Sequence, residues 1–181
     1  MPLLSGFAFA GPAMPPPAAS GGTEVTLTNP DGDGKNYKKH TFTAATTTWT
    51  VTRPGWVKAL VVGRGATGYS GNRGSGGRVW EGWLYVPAGT YTVTVPQGGT
   101  NLDGAGASIG SLASVAAVNT SPGAGTGAGA AAAGGATGWI STISGTSVEY
   151  ARSVTTSANP GDGGPNAAAV VAGIVIVRYQ V

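Results

Sequence analysis

Gly173-Ile-Val-Ile-Val-Arg-Tyr179 is the stretch on which the reading of the fold turns. In an extended chain successive side chains point to opposite faces, so Ile174, Val175, Ile176 and Val177 place apolar groups on both. That pattern belongs to a strand covered on both sides, and it predicts a central strand over 173–180. Working back along the chain, short runs rich in β-branched and aromatic residues predict strands at roughly 24–28, 40–44, 48–53, 56–62, 77–86 and 90–95, with weaker ones near 107–118 and 138–150. Alternation sets Val25 and Leu27 on one face of the first. It also separates Trp83 and Tyr85 from Trp80 and Leu84, so that one pair packs in the core and the other against a sheet or a neighbour. Asn29-Pro-Asp-Gly-Asp-Gly34 is a turn, and Pro87-Ala-Gly-Thr90 reads as hairpin chemistry. Ala128–Ala133, flanked by Gly, is too short to sustain a helix and is read as loop. The sum is an all-β domain, a β-sandwich of jelly-roll-like form with long glycine-rich loops and an extended N-terminal arm.

The 181 residues suit one domain, which at this size buries about two-thirds of its unfolded surface. Gly (33) and Pro (12) make up about a quarter of the chain, near the level of low-complexity sequence, yet the apolar residues are gathered into runs between them. Only 9% of residues are charged, and 104–148 carries no charge. Charge keeps surfaces soluble and apart, so this deficit points to a surface covered by other subunits. The net charge of +3 is spread along the chain, which argues against nucleic-acid binding. With no cysteine there is no disulfide framework or thiolate metal site, as suits assembly in a reducing cytoplasm. Met1–Ala10 lacks the basic start of a signal peptide, and no apolar run is long enough for a membrane-spanning helix.

Two regions follow: an arm over 1–22 and a glycine-rich β domain over 23–181. The arm contains Pro15, Pro16 and Pro17, which favour polyproline II, and it is expected to dock onto another subunit. Within the domain the glycine-rich excursions are 63–77, 98–110, 121–138 and 159–173, longer than ordinary connections.

Several motifs carry chemistry on paper. Gly63-Arg-Gly-Ala-Thr-Gly68 has dinucleotide-fingerprint spacing after an apolar strand, but the glycines that follow do not form the helix that would carry a pyrophosphate. It reads as a strand running into a glycine loop. Asn29, Asp31 and Asp33 with Gly34 match the opening of a calcium loop, yet His40 stands where the bidentate Glu belongs and lysines crowd the segment, so an Asx-rich turn explains the same residues. His40 is the only histidine and sits beside two lysines, the setting of a solvated residue at a strand end rather than a catalytic base. The seven carboxylates show no local pairing beyond the turn. Tyr69, with Asn72 and Arg73 nearby in a glycine loop, is the aromatic-plus-polar combination that contacts ligands on a surface. The chain is therefore expected to be non-enzymatic and to hold no cofactor or metal.

Gly145-Thr-Ser-Val-Glu-Tyr150, a glycine-bearing loop and Gly173–Tyr179 together resemble the closing part of the glycine-rich domains of bacteriophage minor tail and tail-fibre proteins. There a G-x-S-V-E-Y strand leads to a final G-I-V-I-V-R-Y strand. Thr41–Thr43, Trp49–Thr52, Val57–Gly63, Val79–Val95 and Gly98-Gly99 fit the same order, so the likeness covers roughly 41–181. It implies a structural component of a virion, assembled in the host cytoplasm: a minor tail protein of tail tip or fibre, with other virion proteins as partners. It further implies a homo-oligomer, a trimer by preference, recognition of host-surface glycan by the loops, and glycine segments stacked as polyproline-II-type helices. Alternative readings are a capsid decoration or head-fibre protein and a carbohydrate-binding module.

Overall fold

A computed structural model describes residues 15–68, 74–100, 103–118, 130–132, 138–153, 159–166 and 169–181. Among them the chain has strands and no helix. In chain order these are β1 (Ala18–Ser20), β2 (Thr23–Thr28), β3 (Asn36–Phe42), β4 (Thr46–Arg53), β5 (Gly55–Val62), β6 (Thr67–Gly68), β7 (Arg78–Val86), β8 (Gly89–Thr94) and β9 (Gly99–Thr100). There follow β10 (Ala107–Ile109), β11 (Ala113–Val115), β12 (Ala130–Ala132), β13 (Trp139–Ser141), β14 (Val148–Tyr150), β15 (Gly164–Asn166), β16 (Ala169–Val170) and β17 (Ile174–Gln180). Two large antiparallel sheets result, one ordered β1-β4-β8-β10-β11 and one ordered β12-β7-β5-β17-β3-β2.

The final strand is central, as its composition requires. β17 lies between β3 and β5, with Val177 opposite both His40 and Ala59. Its alternate residues enter two different cores. Val175, Val177 and Tyr179 join Phe42, Trp49, Val57, Val61, Val93 and Ile109 in a cluster to which both large sheets contribute. Ile176 joins Leu60, Val62, Val79, Ile143 and Tyr150 on the opposite face, where the β13–β14 hairpin covers the sheet. At about 25 cal/mol per Å² of apolar surface, covering both faces of one strand makes it a principal source of stability.

Local turn chemistry proved a poor guide to partners. Pro87 and Ala88 do not close a hairpin: β7 pairs with β5 and β12, whereas β8 pairs with β4 and β10. Pro-Ala-Gly turns the chain from one sheet to the other, and Arg53-Pro54-Gly55 does the same between β4 and β5. The strand expected at 40–44 begins earlier, at Asn36, because Lys38 and Lys39 are taken into the ladder opposite Tyr179 and Arg178. Ala130–Ala132, expected as loop, is a strand paired with Arg78–Trp80.

At the end of the arm, Ala18–Ser20 form an edge strand on the chain's own β4. The hold extends outward, with Thr52 Oγ1 donating to Ala18 O and Arg53 Nε to Pro16 O.

The glycine segments pack backbone to backbone. Gly63–Gly68, Gly74–Gly77 and Gly161–Gly164 exchange hydrogen bonds, among them Ala66 N to Ser75 O (2.8 Å), Gly74 N to Gly164 O (2.8 Å) and Gly77 N to Gly161 O (2.7 Å). A Cβ on Gly74 would lie 1.8 Å from Ala66 O, and one on Gly77 2.0 Å from Gly63 O. Only glycine permits that approach.

Candidate functional site

The six-stranded sheet is covered unevenly on the face turned away from the large core. β5 and β7 send Val57, Ala59, Leu84 and Val86 inward, which leaves Trp56, Lys58, Glu81, Trp83 and Tyr85 on the other side. The β13–β14 hairpin covers the half of this face nearest the glycine segments. The other half is open, and there Trp56 is 55% exposed, Trp83 59% and Tyr85 46%. The alternation read from the sequence is right as to faces: Trp80 and Leu84 pack against the core, whereas Trp83 and Tyr85, expected against a sheet or a neighbour, stand exposed.

The rings are arranged by register. Trp56 stands opposite Tyr85, their centroids 5.7 Å apart and edge to face, and Lys58 stands opposite Trp83. Between the rings and the hairpin lies an ion pair, Lys58 Nζ to Glu81 Oε1 at 2.7 Å, while Trp139 Nε1 donates to Glu81 Oε2 at 2.7 Å. Burial pushes the Glu81 carboxyl up, but the hydrogen bonds from Lys58, Trp139 and Ser141 together with the Lys58 charge outweigh it and hold the group below its ordinary value. Glu81 is thus a fixed anion that orients the hairpin.

Beside the indoles is a groove of about 660 Å³. Pro15, Pro16 and Pro17 form one wall, Trp56 and Trp83 line it, and Lys35, Tyr37 and Gln180 supply polar groups. Gly55 admits the wall, since a Cβ there would lie 2.5 Å from Pro17 Cγ. Tyr37 is held in place from two sides: its hydroxyl donates to Asp33 Oδ2 (2.6 Å), and the Arg178 guanidinium lies 4.8 Å from its ring centroid while pairing with Asp31 (2.6 Å). The hydrogen bond to Asp33 raises the Tyr37 pKa and is the main cause lowering that of Asp33.

The residues singled out from sequence fall in different places. Tyr69, Asn72 and Arg73 lie outside the described residues. Pro15, Pro16 and Pro17 line the groove. Asn29, Asp31 and Asp33 form the turn: Asn29 Oδ1 accepts from Gly34 N, Asp33 Oδ1 from Lys35 N, and Asp31 is taken by Arg178. No group of three or more metal-ligating side chains occurs among the described residues. Gly63–Gly68 is extended, with Arg64 bridged to Ala105 and Thr67–Gly68 paired to Gly164–Asn166.

His40 overturns its reading as a solvated residue, for it is fully buried. Because Gly21 O accepts only, Nδ1 carries the proton and donates to it (2.9 Å); Nε2 then accepts from the Tyr179 hydroxyl (3.0 Å). Burial lowers the His40 pKa despite the Gly21 hydrogen bond and the Glu24 charge, which raise it. Ala19 N donates in turn to the Tyr179 oxygen (3.2 Å), so this buried pair fastens the arm.

Sequence reasoning missed the open aromatic end, of which Trp56 is a part. Its signal was the alternation Trp56, Lys58 against Val57, Ala59, which marks a face without saying whether anything covers it. In comparisons with protein-family models, with curated proteins and with solved structures, nothing matches the chain.

Proposed function

We propose that this chain is a non-enzymatic structural component of a bacteriophage virion, a minor tail protein of tail tip or fibre, that attaches the particle to a host surface. The open aromatic groove is the observation that carries the attachment role. Half-exposed indoles cost solubility and add little to the core, which favours a contact made in function. The likeness of the 145–150 and 173–179 segments supplies the particle. The shared core between the large sheets supports a sandwich of jelly-roll-like form, and the uncharged span 104–148 supports a closed homo-oligomer, a trimer by preference.

Antibody labelling of whole virions in electron micrographs tests the location, and adsorption of particles carrying Trp56→Ala and Trp83→Ala tests the role. Label at the tail, with intact particles that adsorb poorly, is the expected outcome. Label over the capsid removes the tail assignment in favour of a decoration protein; normal adsorption removes the attachment role.

A further inference from the structure

The groove has a composition that selects among ligand classes. Its stacking surfaces are the indoles of Trp56 and Trp83, which lie diagonally across one ladder, Trp83 being two residues from the Tyr85 that faces Trp56. Diagonal neighbours of this kind are roughly 7–8 Å apart, so two adjacent rings of a ligand have one indole each. Tyr85 braces Trp56 edge-on and leaves it open. Lys35, Tyr37 and Gln180, also in the lining, carry hydrogen-bonding groups, the Tyr37 hydroxyl already donating its proton to Asp33.

We propose that this groove binds an uncharged oligosaccharide, with consecutive pyranose rings stacked on Trp83 and Trp56 and their hydroxyls bonded to Lys35, Tyr37 and Gln180. The inference rests on the attachment reading and names the ligand for it. A pyranose has an apolar C–H face and a hydroxylated rim, matching an aromatic floor bounded by polar groups. The charge balance disfavours a polyanion: Lys58 is paired with Glu81 and Arg178 with Asp31, leaving Lys35 as the lysine in the lining. The proline wall narrows the groove from the arm side, so the arm contributes to the site.

The test is titration of the whole soluble chain, followed by tryptophan fluorescence and saturation-transfer NMR, with gluco-, manno-, galacto- and N-acetylglucosamine oligosaccharides of one to six units, heparin and decaproline. At least one neutral series binds, affinity rises from one unit to two, and Trp83→Ala and Trp56→Ala each lower it about tenfold or more while melting as the parent does. Both rings are exposed, so the variants keep the fold. No binding by any neutral series at about 10 mM overturns the proposal, as does binding confined to heparin or decaproline. If virions carrying Trp83→Ala lose adsorption while no neutral saccharide binds, the attachment role stands and the ligand class falls.

Discussion

Gly77→Ala isolates the packing of the glycine segments from their composition. Gly77 N donates to Gly161 O at 2.7 Å, and Gly63 N to Arg78 O at 2.9 Å, so Gly77 is clasped between two other segments. The new Cβ would stand 2.0 Å from Gly63 O, where ordinary contact begins near 3.4 Å. The partner is backbone and cannot rotate away, so the segments must separate by more than an ångström, which stretches both hydrogen bonds past their useful length. Overpacking costs about 1–3 kcal/mol and a buried amide left without a partner about 1–3 kcal/mol. The reduced entropy of the unfolded chain returns about 0.4–1 kcal/mol. The net loss is about 1–5.6 kcal/mol, centred near 3, a large part of the roughly 5–15 kcal/mol that holds a domain together. Gly32→Ala is the control: its Cβ meets nothing within 4 Å, and its cost is that of a left-handed backbone at φ 72°, about 1–2 kcal/mol. Urea unfolding with both variants measures the difference as a shift in midpoint at constant slope. A Gly77→Ala midpoint no lower than that of Gly32→Ala refutes the close packing of these segments.

Other consequences are open to measurement. Ile176→Asp buries a carboxyl in the smaller core and lowers stability by several kcal/mol, comparable to the whole of a modest domain; a melting temperature within a degree or two of the parent contradicts the covered central strand. His40 is neutral in the fold because burial lowers its pKa, so the unfolded chain takes up the proton first. Its contribution is therefore complete above about pH 6.5 and lost as pH falls toward the lower folded value, at up to about 1.4 kcal/mol per unit. Glu24, 3.8 Å from Nδ1, attracts the proton and moderates the shift without reversing it, while Lys38 repels the proton and reinforces it. Denaturation of the parent and His40→Gln between pH 7.5 and 5 checks this, and parallel curves exclude it. The proposed homo-oligomer should be seen by light scattering at micromolar concentration and be broken by Ala116→Glu with Ala131→Lys; a monomer unaffected by both substitutions overturns the oligomer read from the uncharged span 104–148.

What the sequence made legible is what depends on neighbours along the chain. Alternation assigned Trp80 and Leu84 to one face and Trp83 and Tyr85 to the other, and the four apolar residues from Ile174 demanded a strand covered twice. What it hid depends on distant partners. His40 looked exposed beside two lysines, but Tyr179, 139 residues away, and Gly21 complete its hydrogen bonds in the interior. Pro87-Ala-Gly carries turn chemistry that serves a hairpin or a passage between sheets equally well, and only the core decides. The site was sought in the glycine loop at Tyr69 because loops carry function.

The strands place the aromatic groove at the end opposite the described glycine segments Gly63–Gly68 and Gly74–Gly77. β5 begins at Gly55 and Trp56 beside the groove and ends at Val62, before Gly63; β7 runs the other way, from Gly77 and Arg78 toward Trp83 and Tyr85; β17 leaves Gly173 and reaches Gln180 in the groove lining. The seven steps from Gly55 to Val62 along β5, at about 3.3 Å each, set the two ends roughly 23 Å apart. Glycine close-packing and the open aromatic surface are thus opposite ends of the same strands, and at this separation substitutions at the two ends should add without coupling. Gly77→Ala should therefore lower the unfolding midpoint yet leave saccharide affinity unchanged wherever the variant is folded, whereas Trp83→Ala should do the reverse. If Gly77→Ala weakens binding in the folded protein as much as Trp83→Ala does, the groove is not an independent site at the far end of a rigid sheet.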